Sequence, residues 1–406
     1  MRSPTSASPG PATPAARLDA TSAILRELIA FPTVSADSNL ELIAYCTAAL
    51  DALGARTEMT LDPSGQKANL FATIGPDING GVVLSGHTDV VPVDGQDWSD
   101  DPFTLWTDVD GRLYGRGTCD MKGFIACALA TAPRFAAADL KRPVHFAFTF
   151  DEEVGCLGAK VLLDALRKSG RRPAICLIGE PTEMRIIEGH KGCHEYTTRF
   201  TGLPGHGSDP DAGVNAVEYA VRYVSRLLAL RGDLSRRAPA WSPFTPPWST
   251  LQVGRIEGGI AHNVIAEHCA VDWEFRPVTP EDTHFLKAEL DRYVEDELLP
   301  AMRRVHPEAA IETQVIGEVE GLVPMTDSEA VRLATQLTGG NATGVVSFGT
   351  EAGLYQALDI STVVCGPGSI EQAHKADEYV APEQLAQCLT MLDRLADRLS
   401  AEPDTR

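Results

Sequence analysis

The sequence lacks any run of about 18 apolar residues, the length a membrane-spanning helix requires, so no transmembrane segment is expected. Its opening, MRSPTSASPGPATPAARL, lacks the apolar core of a signal peptide and reads as a disordered Pro/Ser/Ala tail over residues 1–17. No C-x-x-C pair occurs among the nine cysteines Cys46, Cys119, Cys127, Cys156, Cys176, Cys193, Cys269, Cys365 and Cys388. That argues against a thiolate zinc site, and an odd, scattered set implies reduced thiols and a cytoplasmic location. Positive charge is scarce: 35 Lys and Arg stand against 56 Asp and Glu, a formal net charge of −21. Such a balance disfavours nucleic acid and anionic membranes as partners. There is no internal repeat.

What is present is a 406-residue chain, 44% hydrophobic and 22% charged, which is the texture of a globular protein too long for one core. Leu18 to Leu53 is patterned as helix with a break at Phe31-Pro32. Apolar strands then alternate with helices: GGVVLSGH, a small-residue helix over Gly123–Ala138, VHFAFTF, a helix over Val154–Leu166, and AICLIGE. This alternation predicts a parallel sheet covered on both faces. After Gly192 the texture changes. HEYTTRFTG, STLQVGRIEGG and CAVDWEFRPV alternate polar and apolar residues as half-exposed strands do, with helices predicted over Asn215–Leu230 and Pro280–Leu299. Buried-strand style returns in TGVVSFG and STVVCGPG. The expected organisation is therefore one domain over 18–192 and 303–406, interrupted by a smaller α+β insert over 193–302.

Ligands of open parallel sheets bind at the carboxyl ends of the strands. VVLSG ends at His87 and Asp89, FAFTF at Asp151, Glu152 and Glu153, and CLIG at Glu180; STVVCGPG leads to His374 in the next loop. A further acid, Asp120, sits in GRGTCDMKG just before a helix. Taken singly, each piece is ordinary: DEE is a common solvated turn and a lone histidine is more often structural. Together they form an oxygen and nitrogen donor set that suits zinc, cobalt or manganese. It is also larger than one zinc needs, so two ions sharing a bridging carboxylate and activating a water are expected. His87 is predicted to bind through one ring nitrogen while Asp89, at i+2 on the same side of an extended segment, accepts a hydrogen bond from the other. Glu152 and Glu153 should point to opposite sides, one toward metal and one toward water.

In order along the chain, SGHTDVVPV, GRGTCDMKG, TFDEEVGCLGA, GEPT and GPGSIEQAHKADEYV resemble the dinuclear zinc deacylase and exopeptidase family. The likeness runs from about Leu18 to the last helix. It implies a mixed, mostly parallel α/β sheet of zinc-exopeptidase type with an inserted lid and dimerisation domain. By the resemblance, His87 and Glu180 would bind one ion, Glu153 and His374 the other, and Asp120 would bridge them. Asp89 would orient His87, Glu152 would be the general base, and the Asp120–Met121 peptide would be cis. In the insert, His206 (GLPGHGSDPDAGVNA) matches a histidine that reaches the partner's active site, Asn263 (GGIAHNVIA) a substrate-contacting asparagine, and Arg276 (WEFRPV) a substrate-carboxylate anchor. Glu351 (SFGTEAGLY) would meet a substrate ammonium, although an acid there could equally cap the following helix. GEPT with GPGSIEQAHKADEY is most like the acetylornithine-deacetylating members, implying N-acetylornithine hydrolysed to ornithine and acetate in arginine biosynthesis. Sister activities on the same scaffold are a succinyl-diaminopimelate desuccinylase or a general aminoacylase or carboxypeptidase. An inactive binding relative should lack a ligand or the base, and none is missing.

Overall fold

The computed structural model describes residues 13–402. Its centre is an eight-stranded sheet in the order Arg56–Leu61, Ala68–Ile74, Val144–Thr149, Val82–His87, Ile175–Pro181, Ser361–Gly366, Ile186–His190, Thr343–Val346. The middle of this order, from Val144–Thr149 to Ser361–Gly366, is parallel; Arg56–Leu61 and Ala68–Ile74 are antiparallel additions at one edge. The fold is thus mixed α/β and mostly parallel, as the strand–helix alternation predicts. The edge strands Arg56–Leu61 and Ala68–Ile74 have no counterpart in the sequence reading. Ala68–Ile74 is buried along its whole length, so it has no period-2 signature to detect.

Alternation along each central strand divides the core in two. Val82, Leu84, Phe146, Phe148, Leu177 and Val363 face one layer with the helices Pro14–Ile29, Leu40–Asp51, Lys122–Ala137 and Pro382–Ser400. Val83, Ala147, Cys176, Ile178 and Val364 face the other with the helices Leu157–Ser169 and Ala352–Gln356. Burying a side chain of this size is worth ~1.5–3 kcal/mol, so both layers lock strand register and fix where each strand ends. Small residues bring the helix Lys122–Ala137 close to its neighbours: a Cβ on Gly123 would lie 2.4 Å from the Thr118 carbonyl oxygen.

A second sheet, antiparallel in the order Thr250–Gly258, His268–Arg276, Cys193–Thr201, Ala310–Val319, carries the helices Ala216–Arg236 and Pro280–Tyr293 on one face. We propose that this unit is the insert. Ala310–Val319 pairs with Cys193–Thr201, which moves the return of the chain past Val319, later than the 303 expected. The cue was weak because that strand is mostly exposed. The helix expected over Pro280–Leu299 stops at Tyr293, passes through a wide turn over Val294–Leu298 and resumes as Leu299–Arg303. Of the tail expected over residues 1–17, residues 1–12 lie outside the described residues, while Pro14 already begins a helix capped by Thr13. No described helix is long and apolar enough to cross a membrane.

Candidate metal centre

The strand ends converge. His87 closes Val82–His87, Glu152 and Glu153 follow Val144–Thr149, and Glu180 lies near the end of Ile175–Pro181. Asp120 sits in the turn before Lys122–Ala137, and His374 in the loop after Ser361–Gly366. The Asp120–Met121 peptide is cis. Asp120 faces both imidazoles: its Oδ1 is 3.0 Å from His87 Nε2, and its Oδ2 is 3.4 Å from His374 Nε2. His87 Nε2 is also 3.7 Å from Glu180 Oε1, and His374 Nε2 is 3.2 Å from Glu153. Donor atoms of His87, Asp120 and Glu153 lie within 4.8 Å of one another, as do those of His87, Glu152 and Glu180.

His87 Nδ1 lies 2.9 Å from the backbone carbonyl oxygen of Asp89. A carbonyl can only accept, so Nδ1 carries a proton, and Nε2 is the ring nitrogen facing the carboxylates of the cluster. This corrects the expected role of Asp89. Its carboxylate is 3.6 Å from the ring, outside hydrogen-bond range. It is used elsewhere, accepting Ser35 Oγ at 2.7 Å and the backbone N–H groups of Glu152 at 3.0 Å and Glu153 at 3.2 Å. Asp89 therefore holds the ring with its main chain and the acid pair with its side chain. Asp151, just before that pair, has φ 53 and is tied to Lys67, whose ammonium also reaches the Ser35 carbonyl.

The electrostatics are those of a site short of positive charge. Burial pushes the Glu152 and Glu180 carboxyls well above their ordinary range, His87 only partly opposing. Burial would raise Asp120 too, but the two imidazoles outweigh it and hold that carboxyl low. Hydrogen bonds to Asp120 and Glu153 push His374 up to about 10. Among the described residues, no Lys or Arg forms an ion pair with Asp120, Glu152, Glu153 or Glu180; their ion-pair contacts are to His87 and His374 alone. Buried carboxylates without counter-charge are costly. Two imidazole nitrogens and four acids at these separations fit divalent cations, with Asp120 offering one oxygen to each side. His374 is 52% exposed in its side chain, so the cluster opens to solvent on its side.

The insert residues are placed differently. His206 and Asn263 are neighbours: His206 pairs with Val264, and the Gly207 N–H bonds the Asn263 carbonyl at 2.8 Å. Both are exposed. The His206 ring is hydrogen-bonded to Ser208 Oγ at 2.7 Å, with no hydrogen bond or ion pair to the metal cluster. Arg276, half-buried, closes its strand paired with Glu274 at 2.9 Å. Glu351, expected to meet a substrate ammonium, lies buried behind the cluster, near enough to Glu152 and His87 to act on their charge. It is 1% exposed, and its carboxylate is taken by Thr149 Oγ1 and, at 3.2 Å, Ser85 Oγ. It makes no cap bond to the helix Ala352–Gln356 either.

Sequence reasoning passed over Arg116, Glu378 and Gln96. Glu378 accepts four hydrogen bonds around the Asp120 turn, and Arg116 and Gln96 bind the His374 loop. Arg116 and Glu378 stand inside the motifs GRGTCDMKG and HKADEYV, but neither is at a strand end.

The chain matches the model of "Peptidase family M20/M25/M40" over residues 83–398. It is 38% identical over 391 residues to an acetylornithine deacetylase of Myxococcus xanthus, covering 93% of this chain and 97% of that protein. It is 37% identical over 364 residues to an acetylornithine deacetylase of Shigella sonnei, covering 88% and 92%. Among solved structures, an M20 family metallo-carboxypeptidase from Sulfolobus solfataricus superposes with TM-score 0.74 at 17% identity, covering 94% of this chain and 99% of that one.

Proposed function

From the premise that the chain belongs to peptidase family M20/M25/M40, and is therefore a metal-dependent hydrolase, we propose that it deacetylates N-acetylornithine to ornithine and acetate. The observation that carries the chemistry is Asp120, with one carboxylate oxygen toward His87 and the other toward His374. The substrate follows from relatives at 37% and 38% identity over most of both chains.

In this reading His87 and Glu180 would hold one divalent ion, Glu153 and His374 would hold the other, and Asp120 would serve both. Zinc is the ion proposed, cobalt and manganese being chemically acceptable to the same donors. When bound, the ions would lower the pKa of a water between them toward about 7. Glu152, free of any ion pair and clustered with His87 and Glu180, takes the proton from the attacking water and delivers it to the leaving amine nitrogen. Its high proton affinity suits a group that must carry a proton at neutral pH. Arg276 grips the substrate α-carboxylate, and Asn263 contacts the substrate from the insert. His206 supplies a donor to the developing oxyanion from the partner subunit of a homodimer. That the His206 ring has no tie to its own cluster supports assigning it to a neighbour's site.

A panel of N-acetylornithine, N-succinyl-diaminopimelate and N-acetylmethionine, assayed with metal restored, tests the proposal. N-acetylornithine should give the highest kcat/KM. Preference for the acetylmethionine side chain would overturn the ornithine assignment, and preference for the succinyl substrate would move the protein to the sister activity.

A further inference from the structure

The candidate ligands Asp120 and His374 reach the centre on loops, not on strands, and a buried charge network fastens those loops to each other. Glu378, 1% exposed, spends both carboxylate oxygens on the Asp120 turn. Oε1 accepts the N–H groups of Cys119 at 2.8 Å and Asp120 at 3.0 Å; Oε2 accepts Gly117 N–H at 3.0 Å and Arg116 Nη1 at 2.8 Å. Arg116, also 1% exposed, extends the network to the His374 loop, donating to the Lys375 carbonyl at 3.2 Å and to Gln96 Oε1 at 2.5 Å. Gln96 in turn donates to the carbonyl of His374 itself at 3.0 Å.

This loop needs outside support. His374 and Asp377 have φ 63 and 55, left-handed values that non-glycine residues adopt only when their surroundings impose them. The His374 side chain is half-exposed, so packing does not hold it. Besides the His374 ring's own contacts to Glu153 and Asp120, the loop is supported by Gln96, Arg116, the Glu378 carboxylate and Ser99, which donates to Asp377 from its N–H at 2.9 Å and its hydroxyl at 2.7 Å.

We propose that Glu378, Arg116 and Gln96 form a positioning bracket that sets the spacing of Asp120 and His374, so that the metal position shared with Glu153 depends on it through both ligands, and the position at the strand-borne pair His87 and Glu180 only through Asp120. The inference rests on the two-metal reading above. None of the three bracket residues contributes a ligand in that reading: Glu378 and Gln96 act through a ligand's backbone, and Arg116 through the Lys375 carbonyl and the other two side chains. Ligand orientation through such outer contacts is worth about 10–100-fold in metal affinity.

The test uses the full chain, stripped with chelator and titrated with zinc by calorimetry and with cobalt(II) by visible absorption. Wild type should take up two ions. Glu378→Gln keeps the side-chain shape but replaces one acceptor oxygen with an NH2 group that cannot receive two of the four bonds. Gln96→Leu removes the contact to the His374 carbonyl at a half-buried, more tolerant position. Gln96→Leu should bind one ion about 10-fold or more weakly, by the same outer-contact arithmetic, and bind the other as wild type does, with one cobalt band altered; Glu378→Gln, which also loosens the shared Asp120, should weaken that same ion more than the other. If Glu378→Gln gives no cooperative melt, Gln96→Leu decides. Variants that bind both ions like wild type, or lose both equally, would overturn the bracket. Wild type taking up fewer than two ions would instead sink the two-metal reading, and the bracket with it.

Discussion

Glu152 and Asp89 show how one residue's surroundings assign its work. Glu152 sits among acids with no Lys or Arg ion pair among the described residues, and burial holds its proton affinity high. Glu152→Gln removes that proton carrier and leaves the proposed ligands. Turnover should fall about 10²–10⁴-fold while zinc uptake by calorimetry stays as in wild type. Undiminished kcat would take the base role from Glu152. Asp89 grips the Glu152 and Glu153 amides through its carboxylate and needs no side-chain contact to orient His87. Asp89→Ala should therefore lower kcat and weaken zinc about 10–100-fold, as seen in steady-state kinetics and chelator competition. His374 supplies the pH dependence. Its acid partners raise it from 6.5 to about 10. A histidine raised on folding adds stability that is complete below about 6.5 and is lost as pH climbs toward about 10. Metal must displace that proton, so the gain in melting temperature on adding zinc to chelated protein should grow across the same range. A gain that shrinks with pH would contradict this. At this scale the residue types and the strand ends were legible from the sequence. It could not show that Glu351 turns into the sheet, because burial depends on Thr149 and Ser85 arriving from other strands.

Among the elements, the helix Lys122–Ala137 lies close against the sheet. A Cβ on Gly179 would fall 1.9 Å from the Phe124 ring, one residue before Glu180. Gly179→Ala should cost about 1–3 kcal/mol through overpacking and should also impair zinc binding. Gly232, inside the helix Ala216–Arg236, would place a Cβ no nearer than 3.8 Å to Arg236. Gly232→Ala should stabilise by about 0.5–1 kcal/mol. Paired thermal melts check both signs. Periodicity made the long elements legible: Val144–Thr149, Ala216–Arg236 and His268–Arg276 fall where the pattern puts them. Ala310–Val319 escaped because an exposed edge strand has no strong alternation, and its membership is decided by pairing with Cys193–Thr201.

For the molecule as a whole, acid sensitivity follows from three buried histidines. Burial lowers His145, His190 and His194 to about 4. The unfolded chain then binds protons the folded chain refuses, so their contribution is complete above about 6.5 and is lost as pH falls toward about 4. The melting temperature should fall over that interval; a flat profile would mean these rings charge without opening the fold. The proposed subunit arrangement has its own test. Glu152→Gln and His206→Ala chains, co-expressed, should form mixed dimers with activity that neither parent has alone. No recovery would place His206 in its own subunit's chemistry, or in none. By itself, the sequence determined the αβ alternation, the strands whose carboxyl ends bear His87, Glu153 and Glu180, and the donor chemistry those ends share, because periodicity and strand-end position are local properties of the chain. Tertiary structure alone decided that Asp120 faces two imidazoles, that Asp89 holds the acid pair, that Glu351 bonds Thr149 and Ser85 and that Glu378 joins two loops. Each of these is a hydrogen bond or close contact between segments far apart in the chain, and no local pattern encodes which distant partner a carboxylate will meet.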